Sequence, residues 1–236
     1  MNLLKPLIFF VFFGLVGQNL SAHALWIQTK GEGKEGRSHD VIIYYAEPND
    51  EHEVIADWWS DTANFTLWLI SPDGQREKLR LQEGKNQFVS SFVPKTSGIY
   101  RLVINHNVAQ LAGESQYQFN ASASVNVGVS TDFDGTDAIS KENGLFLLQV
   151  PNVADNKKAD ISIQLMEGEH PVPDNEISVI APNGWRKTLV TNEKGMATVD
   201  AEWSGNYVFE GFKKEEVSGQ EFTEIIRVIT LLVEAE

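Results

Sequence analysis

The sequence predicts an all-β protein of two β-sandwich domains. Three observations carry this expectation. Short runs alternate apolar and polar residues between turn residues, as half-buried strands do. No stretch beyond the first residues sustains helical periodicity for three turns. A weak internal repeat divides the chain in two.

The chain opens on an export signal. Lys5 is the lone charge of Met1 to Pro6, Leu7 to Gly17 is apolar, and Ser21-Ala22-His23-Ala24 supplies small residues for processing. The apolar run falls short of the roughly 20 residues of a membrane span. Cleavage after Ala22 makes His23 the amino terminus, where an α-amine and an imidazole on one residue can chelate a metal ion. Cleavage after Ala24 removes that chelate. Ala22 and Ala24 flank His23 and favour the second cut by the small-any-small rule, and the pattern alone leaves both open.

Alternation then predicts strands in order at His39 to Tyr45, Phe65 to Ile70, Gln87 to Val89 and Tyr100 to Ile104. Within the second of these, Trp68 faces away from Leu67 and Leu69, so that both faces need cover or exposure. A polar, Asp/Gly/Ser-rich stretch, 126–144, reads as a linker. Further strands follow at Gly144 to Val150, Ile161 to Leu165, Ile177 to Ile180, Tyr207 to Phe209 and Arg227 to Val233. Domain bounds are therefore 1–22 for the signal, 23–125 for the first sandwich and 145–236 for the second.

The repeat consists of Ser71-Pro72-Asp73-Gly74 with Ser97-Gly98-Ile99-Tyr100, matched by Ala181-Pro182-Asn183-Gly184 with Ser204-Gly205-Asn206-Tyr207. Proline fixes φ and the following Asp or Asn with Gly tolerates positive φ, which suits a hairpin turn. Each Gly-any-Tyr step starts a strand whose tyrosine packs inward while its hydroxyl finds backbone.

Composition narrows the function classes. With 19 Lys and Arg against 33 Asp and Glu, the net charge is −14. Such a surface repels nucleic acid and anionic headgroups and favours cations. The chain has no cysteine, so any metal must be held by His, carboxylate, Met or the terminal amine.

His23-Ala24-Leu25-Trp26-Ile27, Tyr44-Tyr45-Ala46-Glu47, Phe65-Thr66-Leu67-Trp68 before Pro72-Asp73-Gly74, and Ala181-Pro182-Asn183-Gly184-Trp185 with Thr191 to Gly195 resemble an exported two-domain β-sandwich family of unknown function related to nickel and cobalt uptake components. Thr191-Asn192-Glu193-Lys194-Gly195 and Gly205-Asn206-Tyr207 are similar to prealbumin-like, or carboxypeptidase-regulatory-like, modules. The resemblance implies immunoglobulin-like or prealbumin-like sandwiches, a periplasmic or extracellular location, a mature start at His23 and a metal-associated or surface role. It also implies a histidine near the last strand, where this chain has Arg227 or a neighbour.

Five histidines occur: His23, His39, His52, His106 and His170. The metal set selected is His23 through amine and ring, Glu47 closing the Tyr44-Tyr45 strand, and His106 past the Tyr100 strand, because strand ends cluster at the poles of a sandwich. Nickel, cobalt or copper suits such nitrogen donors. Asp132 to Asp137 fails the helix-loop-helix calcium pattern, since Asp137 and Asn143 stand where Gly and Glu are required. Trp58, Trp59, Trp68, Trp185 and Trp203 offer a platform for sugar rings, or core filling. No nucleophile elbow, His-Glu-any-any-His, phosphate loop or dinucleotide fingerprint is present.

The expectation is an exported, non-enzymatic protein that binds a transition-metal ion or presents it to a membrane uptake component. The alternative is a surface interaction module for glycan or protein partners. An oxidative copper enzyme built on His23 and His106 is a third, weaker reading.

Overall fold

The computed structural model describes residues 23–48, 50–128, 144–150 and 160–235. The export signal and the Asp132 to Asp137 loop lie outside these residues. Among the described residues the regular structure is strand, apart from two single-turn 3₁₀ segments at Ile55–Asp57 and Thr62–Asn64.

The first half carries β1 (Ala24–Thr29), β2 (Glu32–Gly33), β3 (His39–Ala46), β4 (Trp68–Ile70), β5 (Arg76–Lys78), β6 (Gln82–Glu83), β7 (Phe88–Phe92), β8 (Gly98–Asn107) and β9 (Ser115–Val127). The second carries β10 (Leu145–Val150), β11 (Asp160–Glu167), β12 (His170–Pro171), β13 (Glu176–Ile180), β14 (Arg186–Val190), β15 (Met196–Asp200), β16 (Gly205–Glu216) and β17 (Glu224–Ala235). Every strand expected from alternation is present. The sequence reading missed β1, β14, β15, the short strands and, most consequentially, β9.

These strands form three sheets. A nine-stranded sheet runs β14-β13-β16-β17-β9-β8-β4-β5, with β2 added beside β9. It crosses both halves because β17 pairs with β9 in parallel, Glu224 to Leu231 opposite Ser115 to Ser122. Two four-stranded sheets cover it: β1-β3-β7-β6, and β10-β11-β12 with β15 paired to β11.

The two covering sheets lie on opposite faces. Along β9, Phe119, Ala121, Ala123, Val125 and Val127 join a core with Leu25, Trp26, Ile27 and Ile43 of β1 and β3. The intervening Asn120 and Ser122 face the other way, where Ser122 Oγ donates to the Leu147 carbonyl and Leu145 N–H donates to Asn120 Oδ1 at 3.4 Å. A strand buried on both faces so close to two other layers accommodates small side chains, and Ala and Ser fill it.

Each half also completes the core of the other. Ile180, Val208, Val228 and Leu232 of the second half belong to the core around Trp26. Ile70 and Val103 of the first half pack with Phe146, Leu148 and Met166 of the second, and Trp68 packs against this cluster. Trp68 therefore does face opposite to Leu67 and Leu69, and residues of the second half cover it.

The repeat is one physical device used twice. Gly74 N–H donates to the Ser71 carbonyl at 2.9 Å, and Gly184 N–H to the Ala181 carbonyl at 2.9 Å. The turn side chains repeat as well, Asp73 Oδ1 accepting from Gln75 N–H and Asn183 Oδ1 from Trp185 N–H. Gly98 (φ 135°) and Gly205 (φ 126°) start the strands that follow. A Cβ at Gly98 would stand 2.6 Å from Pro72, and one at Gly205 3.0 Å from Pro182, so each turn proline rests where a side chain would be. The hydroxyl of buried Tyr100 accepts from Lys95 N–H at 3.0 Å and donates to the Thr96 carbonyl at 3.1 Å; that of buried Tyr207 accepts from Trp203 N–H at 3.2 Å. The inward tyrosine expected of both Gly-any-Tyr steps is thus observed.

The five tryptophans do not form one platform. Trp58 is buried among Tyr45, Phe65 and Phe88, Trp59 meets Tyr117 edge-on, and Arg76 caps the Trp68 ring at 4.5 Å. Trp185, exposed, lies 6.1 Å from Trp203, which is half-buried against the core of the second half.

Candidate metal site at the start of β1

Register sets the site. Ala24 pairs with Ala46, so the residues just outside that pair, His23 before β1 and Glu47 after β3, are neighbours. His23 Nδ1 lies 4.0 Å from Glu47 Oε1, and His23 Nε2 lies 2.9 Å from Glu53 Oε1. The three side chains are each about one third exposed. The Tyr45 ring lies 5.4 Å from the imidazole.

Local contacts fix this arrangement. Trp26 Nε1–H donates to the Ala46 carbonyl at 3.0 Å inside the core, which anchors the backbone leading into Glu47. Glu53 N–H donates to the Tyr45 carbonyl at 3.2 Å, and Trp58 Nε1–H donates to the Glu53 carbonyl at 3.1 Å, which bring the loop back over β3. Burial raises the Tyr45 phenol to about 12, helped by the Glu53 charge and Tyr117, so it stays protonated beside the imidazole.

Glu53 was not singled out from the sequence, nor was Glu210. Glu210 interrupts the apolar run of β16 and is 8% exposed on the face where Thr230, its cross-strand partner, donates to the Leu25 carbonyl at 2.6 Å. Burial pushes its carboxyl up to about 7, against the pull of Arg186 and with a further push from Glu47. A charged residue inside an apolar strand was the available signal.

His106 belongs to a different pairing. Its Nε2 lies 3.4 Å from Asp61 Oδ1, an oxygen that also accepts from Ala109 N–H at 2.7 Å. Burial favours the neutral Asp61 carboxyl but is outweighed by the Ala109 hydrogen bond and by His106, so its pKa is lowered. Among the described residues no three or more His, Asp or Glu side chains are grouped to hold a metal ion. Of the expected set, His23 and Glu47 adjoin, while His106 faces Asp61.

The remaining histidines lie in other settings. His39 Nε2 sits 2.8 Å from Thr29 Oγ1, His52 stacks on Tyr44 at 3.8 Å, and His170 is exposed in β12. Arg227 is tied to Gln118 Oε1 at 2.7 Å and Glu215 Oε2 at 2.9 Å. Among the described residues no helix is long and apolar enough to cross a membrane.

The site and sheets define an all-β sandwich protein with an imidazole set between carboxylates at one strand start. No family model matches the chain, and no curated protein matches it. Among solved structures it is similar to a two-domain fibronectin type III segment of chicken tenascin, with TM-score 0.25 and 9% identity over 89% of this chain and 97% of that one. A Salmonella alpha-2-macroglobulin variant gives TM-score 0.30 and 10% identity over 90% of this chain and 15% of that one. The Escherichia coli alpha-2-macroglobulin gives TM-score 0.30 and 10% identity over 91% of this chain and 14% of that one. The chain thus spans about one seventh of either macroglobulin's length. The fold class rests on the sheets themselves.

Proposed function

We propose that the chain is an exported, non-enzymatic binding protein that begins at His23 and holds a nickel, cobalt or copper ion there, for presentation to a membrane uptake component. The observation that carries this reading is the setting of His23. Glu53 Oε1 lies 2.9 Å from Nε2, so that a ring donating its Nε2–H to Glu53 would turn the Nδ1 lone pair toward Glu47, 4.0 Å away. A carboxylate behind a ligating histidine is a recurrent support for metal sites.

The donor set fits a transition-metal ion. The 4.0 Å gap between Nδ1 and Glu47 is about twice a metal-to-donor distance of ~2 Å. An amine on the same residue supplies a second nitrogen, and the net charge of −14 draws cations. His23 and Glu47 would be ligands, Glu53 a positioning residue, and His106 stays with Asp61.

Burial supports the first of the two cuts. Ala24 and Leu25 are both fully buried. A chain starting at Leu25 would place a charged amine in the core, at a cost of several kcal/mol, and would lose the Ala24–Ala46 pair. Starting at His23 keeps β1 whole and puts the amine on a residue whose side chain is about one third exposed. The choice of ions follows the resemblance to nickel and cobalt uptake components, and copper is expected to bind tightest of the three.

Calorimetric titration of the processed protein with each ion tests the proposal. Binding is expected with proton release, weakening as pH falls, because amine and imidazole must be deprotonated to ligate. His23→Ala is expected to abolish it, Glu53→Gln to weaken it roughly 10–100-fold, and His106→Ala to leave it unchanged. Binding that survives His23→Ala intact would overturn the assignment.

A further inference from the structure

A second site lies in the second half and involves none of the residues around His23. The Trp185 and Trp203 rings are in tilted contact, with centroids 6.1 Å apart and planes at 47°. Together with Lys187, Val199, Asp200 and Glu202 they line a notch of about 190 Å³. Trp185 is 40% exposed, so its indole is accessible to a ligand.

Hydrogen bonds fix the backbone at both tryptophans, and the partly buried Trp203 indole packs against the core of the second half. Trp185 sits in the turn between β13 and β14, where its N–H donates to Asn183 Oδ1 at 3.0 Å and its carbonyl accepts from Ala181 N–H at 2.8 Å. Trp203 precedes β16 and donates its N–H to the Tyr207 hydroxyl at 3.2 Å. Gly184 (φ 85°) and Gly205 (φ 126°) take positive φ beside the two tryptophans. Aromatic side chains, with only two rotatable bonds, bind with little loss of side-chain freedom.

We infer that this notch binds one ring of a neutral saccharide. The indole faces would receive the apolar face of the sugar, and Lys187, Asp200 and Glu202 offer a donor and acceptors to its hydroxyls. Charge selects this class over two others. The ammonium of Lys187 opposes a quaternary ammonium ligand, which two tryptophans and two acids would otherwise suit. The two carboxylates and the net charge of −14 oppose an acidic saccharide. The volume lies below the about 300–1,000 Å³ of pockets that enclose drug-sized ligands, which matches a single ring on a longer chain.

Titration of the whole processed protein with cellohexaose, mannohexaose, xylohexaose and chitohexaose, followed by tryptophan fluorescence and calorimetry, tests the inference. At least one is expected to bind saturably, with a dissociation constant on the order of 1 mM or tighter. Trp185→Ala, on an exposed turn, is expected to weaken binding roughly tenfold with the unfolding transition unchanged, and Trp185→Phe to weaken it less. The inference is overturned if none of the four binds, if Trp185→Ala and Trp203→Ala leave binding unchanged, or if choline or polygalacturonate binds in preference.

Discussion

Glu210→Gln is expected to stabilise the fold by about 2–3 kcal/mol at about pH 8 and to flatten its dependence on pH. The Glu210 carboxyl titrates near 7 in the folded chain against an ordinary value of 4.5, chiefly because it is buried. Between those values the folded state keeps a proton that the unfolded state has released. Its contribution is therefore fully present below about 4.5 and is lost as pH rises through about 7. Glutamine keeps the shape and the neutral form at every pH. Urea midpoints measured from acid to weakly alkaline pH check this. A variant whose stability falls with pH as steeply as the parent's would show that Glu210 is not the group responsible.

Trp26→Ala is expected to cost about 4–5 kcal/mol, from the cavity left by a buried indole and the loss of its hydrogen bond to the Ala46 carbonyl. The effect reaches both halves, because Ile180, Val208, Val228 and Leu232 share that core and β17 pairs with β9. A single denaturant transition moved to lower concentration, with an unchanged slope, is expected. Two transitions of which one alone moves would contradict a shared core. Because Ala46 precedes Glu47, the same variant is also expected to weaken metal binding in whatever fraction remains folded.

Much of the fold was legible in the sequence, for reasons that also explain the gaps. The strands at His39, Tyr100, Ile177 and Arg227 announced themselves through large apolar residues at period two, and the proline turns marked the repeat. β9 alternates as strictly, from Phe119 to Val127, but with Ala and Ser instead of large residues. Those small residues are what a strand buried under two layers requires, so the most central strand gave the weakest apolar signal. Nothing in the sequence indicated that Asn120 and Ser122 would be covered by β10, or that β17 would pair across to β9.

The candidate site was legible in half. The expectation that strand ends meet at a pole put His23 with Glu47, and the pairing of β1 with β3, which the alternation did not mark, brings them together. Glu53 arrives on an irregular loop folded back over Tyr45, which no periodicity encodes. His106 stands opposite Phe119, on the face that β1 covers, and there it meets Asp61, held by Ala109 N–H, rather than Glu47.

The intact mass of the protein recovered after expression with its own leader tests the account most directly. A chain beginning at His23 is expected, with an amine and an imidazole together between Glu47 and Glu53. A chain beginning at Leu25 would contradict it, since neither the chelate nor the Ala24–Ala46 pair would then exist.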